Sequence, residues 1–122
     1  LVAIGVKIDS ELYARVKAAG QFALNLLGKG QQKIAFGFFK PLEMDGNVIS
    51  GEPVSYGANG APLLDSAPAA IECVVAEIVE LGDHHIVVGK VTEVHQAQLP
   101  EGRADEAILK MKELGDNVFY GG

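Results

Sequence analysis

Apolar and polar positions alternate in two different rhythms along this chain. Residues 1–7, Leu-Val-Ala-Ile-Gly-Val-Lys, form a short apolar, β-branched run and predict a buried strand. Asp9-Ser10 then offers a helix N-cap, Leu12, Val16 and Ala19 share one helical face, and Gly20 supplies the stop. Residues 22–27 predict a second strand with one polar residue, Asn25, in its middle. A buried amide without partners costs about 1–3 kcal/mol, so the sequence asks what Asn25 is bonded to. After the turn Gly28-Lys29-Gly30, residues 31–39 predict a helix with Ile34/Phe38 and Ala35/Phe39 stacked at i, i+4, ended by Pro41.

Residues 42–68 show little periodicity and many turn formers, among them Asp45-Gly46-Asn47, Gly51, Pro53 and Asn59-Gly60. They predict a long loop that covers something. Residues 70–81 predict a long strand. Its polar positions switch parity between Glu72 and Glu77, which predicts a β-bulge near Val75-Ala76. Gly82-Asp83 makes a tight turn, and residues 85–94 return as the second strand of a hairpin. Asp105 is expected to cap a last helix over 106–114, and residues 118–122 to add a short edge strand. The order β-α-β-α-loop-β-β-α-β, with antiparallel hairpins, predicts a mainly β fold with helices: one domain over 1–122, built as a small closed barrel rather than a doubly wound parallel sheet.

Composition narrows the function classes. The 122 residues are 48% hydrophobic and carry a net charge of −6, with no cluster of Lys and Arg. Nucleic acid is therefore a poor partner, because affinity for phosphate backbones comes from clustered positive charge. Cys73 is the only cysteine, so no internal disulfide forms, which points to a reducing, cytoplasmic setting. No apolar run approaches bilayer length and no signal-peptide pattern is visible, so no membrane partner is expected. The chain opens inside an apolar run without Met, which predicts that it begins partway into a longer sequence.

Few stretches carry chemistry. His84 and His85 sit at the hairpin tip, where the choice is between turn chemistry with exposed imidazoles and a histidine aimed into a cleft. Neighbours in a strand point to opposite faces, so both do not serve one site easily. A metal site is not expected, since His95 lies far along the strand from His85. Lys7-Ile8-Asp9-Ser10 lies where a strand opens into a helix. There Asp9 or Ser10 caps the helix, and the helix N-terminus with Lys7 and Ser10 suits a phosphate. Cys73 reads as a buried structural thiol. Glycine-rich cofactor fingerprints and nucleophile elbows are absent. Phe36, Phe38 and Phe39 cannot all face one way on a helix, so at least one is expected to meet a neighbour, a partner subunit or a flat ligand.

Together these pieces resemble the flavin reductase-like family, the FMN-binding split barrels. The resemblance runs through residues 1–7, Gly20-Gln-Phe-Ala-Leu-Asn-Leu-Leu27, Gln31 to Lys40-Pro41, Gly60-Ala-Pro-Leu-Leu64, Ala69-Ala-Ile-Glu-Cys73, Gly82-Asp-His84 with Val87-Val88-Gly89-Lys90-Val91, and Phe119-Tyr120-Gly121-Gly122. The segment 31–41 and the Phe-Tyr-Gly-Gly end resemble a branch that includes the flavin reductase modules of diflavin proteins. The resemblance implies an antiparallel, Greek-key-like split β-barrel, here without its first N-terminal strand or strands. It implies FMN bound near the interface of a homodimer, hydride taken from NADH or NADPH onto flavin, and an oxygenase or electron-acceptor protein as partner. It places His84 by the nicotinamide or flavin ring as the catalytic residue, and Lys7, Asp9 and Ser10 near the flavin phosphate. Asn25 with its backbone neighbours Leu26 and Leu27 approaches the flavin, and Phe39-Lys40 adds contacts after the helix. The alternative is a non-catalytic FMN-binding or electron-carrying module, and a third reading is a barrel used for dimerisation and structure alone.

Overall fold

The computed structural model describes residues 1–119; Tyr120, Gly121 and Gly122 lie outside the described residues, and with them most of the expected C-terminal strand. The chain runs β1 (Val2–Lys7), α1 (Glu11–Ala19), β2 (Gln21–Leu26), α2 (Gln32–Gly37), β3 (Met44–Asp45), β4 (Val48–Ile49), β5 (Glu52–Tyr56), β6 (Pro62–Leu64), β7 (Ala69–Val79), β8 (His84–Gln96), α3 (Ala104–Ala107) and a 3₁₀ turn, Met111–Leu114.

Two antiparallel sheets result, ordered β1-β8-β7-β2 and β3-β4-β5-β6. The first is organised by the β7–β8 hairpin, whose Gly82 adopts φ 76°. Its inner face carries the apolar alternation read from the sequence. Val6, Phe22, Cys73 and Val87 pack there against Tyr13 and Val16 of α1. Cys73 and Val87 are fully buried, and burial pushes the Cys73 thiol above its ordinary pKa. α1 begins at Ser10, whose hydroxyl accepts from Tyr13 N–H at 3.1 Å, and ends at Gly20 in the left-handed region at φ 69°.

The segment 42–68 departs from expectation. It is not one loop but the second sheet. Ser50 and Gly51 both have positive φ, 49° and 83°, the pattern of a two-residue turn that joins twisted antiparallel strands, and here they join β4 to β5. The turn formers were hairpin turns, and β3 and β4 are two residues each, too short to show any period. The two sheets meet along β2 and β6, giving a split barrel rather than a closed one.

The last helix also departs from expectation. Asp105 does not cap it; its carboxylate pairs with the Arg103 guanidinium at 2.9 Å, which holds the carboxyl below the ordinary range. The helix stops at Ala107, because the backbone there turns to bond elsewhere. Lys29 N–H donates to Ala107 O at 3.1 Å, Leu109 N–H donates to Leu27 O at 2.8 Å, and Ile108 bridges Gly28. α2 likewise ends earlier than the periodicity predicts, at Gly37.

The bulge expected near Val75-Ala76 is present, with Ala76 unmatched, and a second lies at Thr92 on the facing strand. The switch from Val91 to Val94 on β8 carried that second signal in the sequence.

Candidate functional site

The expected site residues fall into two groups. The first is a corner at the hairpin end of the larger sheet. Lys7 and His84 are register partners, so the strand that ends in Lys7 and the strand that starts with His84 place them side by side. Ile8 N–H donates to Asp83 O at 3.1 Å and fastens the turn that follows β1 to the hairpin tip. Ser10 closes that turn: its hydroxyl donates to Lys7 O at 2.7 Å while accepting from Tyr13 N–H. Asp9 lies 3.7 Å from Lys7 Nζ, with both side chains substantially exposed, a pair worth little. His84 Nδ1 lies 3.2 Å from Asp83 Oδ1. That contact is the main reason the Asp83 carboxyl is held below the ordinary range.

The second group lies at the other end of the sheet. Asn25 pairs with Ala70, and Ala70 with His95. His84 and His95 are the two ends of β8, roughly 35 Å apart along the strand at 3.3 Å per residue. The question of what Asn25 bonds is answered within the chain. Its Nδ2–H donates to Pro62 O at 3.2 Å and its Oδ1 accepts from Leu64 N–H at 2.8 Å, so the amide clips β6 to β2. Leu26 and Leu27 line a cavity of about 680 Å³ together with Gly28, Pro68, Gln96, Leu99 and Ile108, among others. Phe39 is exposed and stacks edge-on against Phe36, with ring centroids 5.6 Å apart. Lys40 follows it at the surface. Phe38 turns the other way, lining a smaller cavity of about 250 Å³ with Asn25, Leu27, Ile49 and Leu64. The expectation that the three phenylalanines diverge is met.

Two networks escaped the sequence reading. Glu72 is the one buried charged residue among those described. His95 Nε2 stands 2.6 Å from its Oε2, and Asn59 N–H donates to its Oε1 at 2.9 Å. These two bonds, His95 first, outweigh burial and hold the carboxyl below its ordinary range, so Glu72 is ionised and His95 Nε2–H is the donor. Asn59 in turn sends its side-chain N–H to Phe22 O at 3.1 Å and accepts from Ala61 N–H at 2.9 Å, and its carbonyl accepts from the Gln21 side chain. A Cβ at Gly57 would overlap the Glu72 carboxylate, so this close approach needs glycine. In the sequence Glu72 served only to mark strand parity.

The second network stands beside the corner. The Tyr13 hydroxyl lies 2.6 Å from His85 Nδ1, with the rings edge-to-face at 5.2 Å. Lys17 Nζ sits 5.6 Å from the Tyr13 ring centre and pairs with Glu80 at 2.6 Å. Among the described residues no group of three or more His, Cys, Asp or Glu stands where it holds a metal ion, and no helix is long and apolar enough to cross a membrane.

An antiparallel split barrel whose strand-to-helix corner sets Lys7 beside His84 narrows the class, and comparison names it. Residues 1–110 match the flavin reductase like domain. The chain belongs to that family. It is 31% identical over 91 residues, 75% of this chain and 28% of the relative, to a probable flavin reductase of Rhizobium meliloti. It is 31% identical over 90 residues, 73% of this chain and 16% of the relative, to diflavin flavoprotein A 1 of Synechocystis sp.. Among solved structures it resembles the NADH:FAD oxidoreductase of Streptomyces globisporus in complex with NAD and FAD fragments, with TM-score 0.65 and 32% identity over 77% of this chain and 56% of that one. The chain spans about half the length, or less, of these relatives.

Proposed function

We propose that this chain binds FMN and works as an NAD(P)H:flavin oxidoreductase. The observation that carries the reading is the Lys7–His84 register pair, which sets an anion-suited corner beside an imidazole. The donor set fits a phosphate. Lys7 supplies an ammonium, and α1 supplies the positive end of a nine-residue helix. The Ser10 hydroxyl is already engaged with Lys7 O and Tyr13 N–H, so it shapes the turn while Lys7 meets the anion. Asp9 and Asp83 stand in the same corner and oppose a phosphate, which limits its affinity there. Bound flavin supplies the redox chemistry; the protein supplies placement and electrostatics. His84 holds or donates a proton at its imidazole beside the ring or the nicotinamide. Leu26 and Leu27 offer the wall of the larger cavity, Asn25 fixes the strand that carries that wall, and Phe39-Lys40 offer further flavin contacts at the surface.

The strand length between the corner and the Asn25–Leu27 wall exceeds what one FMN spans. This favours a homodimer, in which a second copy brings its wall to the corner of the first. The name of one relative, the reductase subunit of a stachydrine N-demethylase, favours an oxygenase-type partner that receives reduced flavin. The lone, buried Cys73 agrees with a cytoplasmic location.

The test is flavin titration of the full chain together with NADH and NADPH oxidation that depends on added FMN. His84→Ala is expected to slow oxidation with FMN binding retained. A protein that takes up no flavin ends the reading. A flavin reduced only by a protein donor favours the electron-carrying module instead.

A further inference from the structure

Tyr13 is the buried residue whose bonds reach both halves of the corner. Its backbone N–H holds Ser10 Oγ at 3.1 Å, and Ser10 holds Lys7 O. Its hydroxyl lies 2.6 Å from His85 Nδ1. His85 neighbours His84, and His84 pairs back to Lys7. These links close a ring: Lys7, Ser10, Tyr13, His85, His84 and Lys7 again. Alternation along β8 sends His84 to the face away from α1 once His85 is held against it. Ring packing reinforces the hold, since the two rings meet edge-to-face at 5.2 Å. Lys17 stands 5.6 Å from the Tyr13 ring centre and is anchored by Glu80, which closes the outer side.

We propose that Tyr13 and His85 form a positioning pair that fixes His84 relative to the Lys7–Ser10 turn, so that the anion-binding and imidazole halves of the corner move as one. Neither residue touches substrate or cofactor; both act through their neighbours. The inference rests on the flavin oxidoreductase reading, and it adds that the catalytic use of His84 depends on a hydroxyl on the opposite face of the sheet.

The test is a double-mutant cycle on NADH:FMN oxidation by the full chain, with Tyr13→Phe and His84→Ala singly and together, and thermal melts of each. Tyr13→Phe is expected to lower kcat/KM about five- to tenfold, the fold-change matching one lost hydrogen bond of about 1–1.4 kcal/mol. In the His84→Ala background the same change is expected to cost almost nothing, because the residue it positions is gone. A merely structural tyrosine lowers activity equally in both backgrounds, and that result overturns the proposal, as does an unchanged rate in Tyr13→Phe. Should Tyr13→Phe fail to fold, the same cycle run with His85→Asn and His85→Leu replaces it. Asn keeps a polar atom where Nδ1 sits and is expected to retain most activity, whereas Leu is expected to lose it; equal activities refute the pair. A wild-type chain without FMN-dependent oxidation refutes the oxidoreductase reading instead, and that outcome is visible before any variant is made.

Discussion

Adding one methyl group at Gly89 is expected to destabilise this protein, although the usual sign in a strand is the reverse. Glycine inside a strand costs roughly 0.5–1 kcal/mol relative to alanine, through the backbone entropy it loses on folding. With open space, Gly89→Ala would therefore gain stability. The space is not open. A Cβ at Gly89 would lie 2.6 Å from Phe22 Cζ, 2.9 Å from Phe22 Cε1 and 3.0 Å from Cys73 Cβ. Phe22 is 5% exposed and Cys73 0%, so neither has room to retreat, and the Cys73 contact is with an atom fixed by the backbone. Overpacking a tight core costs about 1–3 kcal/mol. Subtracting the entropic gain leaves a net loss of roughly 0.5–2 kcal/mol. Urea denaturation reads this directly: with a slope of about 1–3 kcal/mol per M, the midpoint should fall by roughly 0.2–2 M at unchanged slope. Trimming the ring that causes the clash should remove most of the effect, so Gly89→Ala should cost much less in a Phe22→Leu background. A Gly89→Ala chain as stable as the wild type, or more stable, would refute the claim that Phe22 seals the sheet at this point.

Other expectations follow from the same geometry. Asn25→Ala should lower stability by about 1–2 kcal/mol, because Leu64 N–H and Pro62 O lose their partners; if FMN affinity falls and the unfolding midpoint does not, the clip between β2 and β6 is wrong. Glu72 should make stability acid-sensitive. Its folded pKa lies below the unfolded value, so its contribution is complete above the ordinary carboxylate range and is lost as pH falls through the lowered folded value. Melting wild type and Glu72→Gln side by side from neutral pH downwards should show the gap between them closing in acid, and a gap independent of pH would contradict the ionised assignment.

Much of the larger sheet was legible because its strands are long. Residues 1–7, 22–27 and the hairpin 70–94 each carry enough apolar signal to fix their type, and the Glu72–Glu77 parity switch placed a bulge near Val75-Ala76. The smaller sheet was not legible, since β3 and β4 are two residues long and leave only their turns as evidence. The candidate site was half legible. Asn25 stood out as a polar residue in an apolar run, yet its partners are carbonyl and amide groups of β6, which no local pattern marks. Lys7 and His84 were each noticed, but their adjacency is a long-range register that only the sheet order reveals. Tyr13 drew no reading from the sequence, because a hydroxyl's partner across a sheet has no sequence signature. The last helix failed for a related reason: tertiary bonds to Leu27–Lys29 overrode its period.

The paired bulges of β7 and β8 have a consequence for how this sequence tolerates change. Ala76 is unmatched on one strand and Thr92 on the other, so the two offsets cancel and both ends of the hairpin share one reading frame. Deleting either residue alone would straighten its strand: Val75 and Glu77, or Val91 and Glu93, would become neighbours and keep their present partners. Loss of Thr92 would remove its hydroxyl's 3.2 Å bond to the Glu72 carbonyl, while loss of Ala76 would keep Val75 and Ile78 on the core face and the His84 tip in its present register. Single-residue deletions are thus expected to be accepted at Ala76 or Thr92, whereas a deletion at a paired position sends the side chains beyond it to the other face.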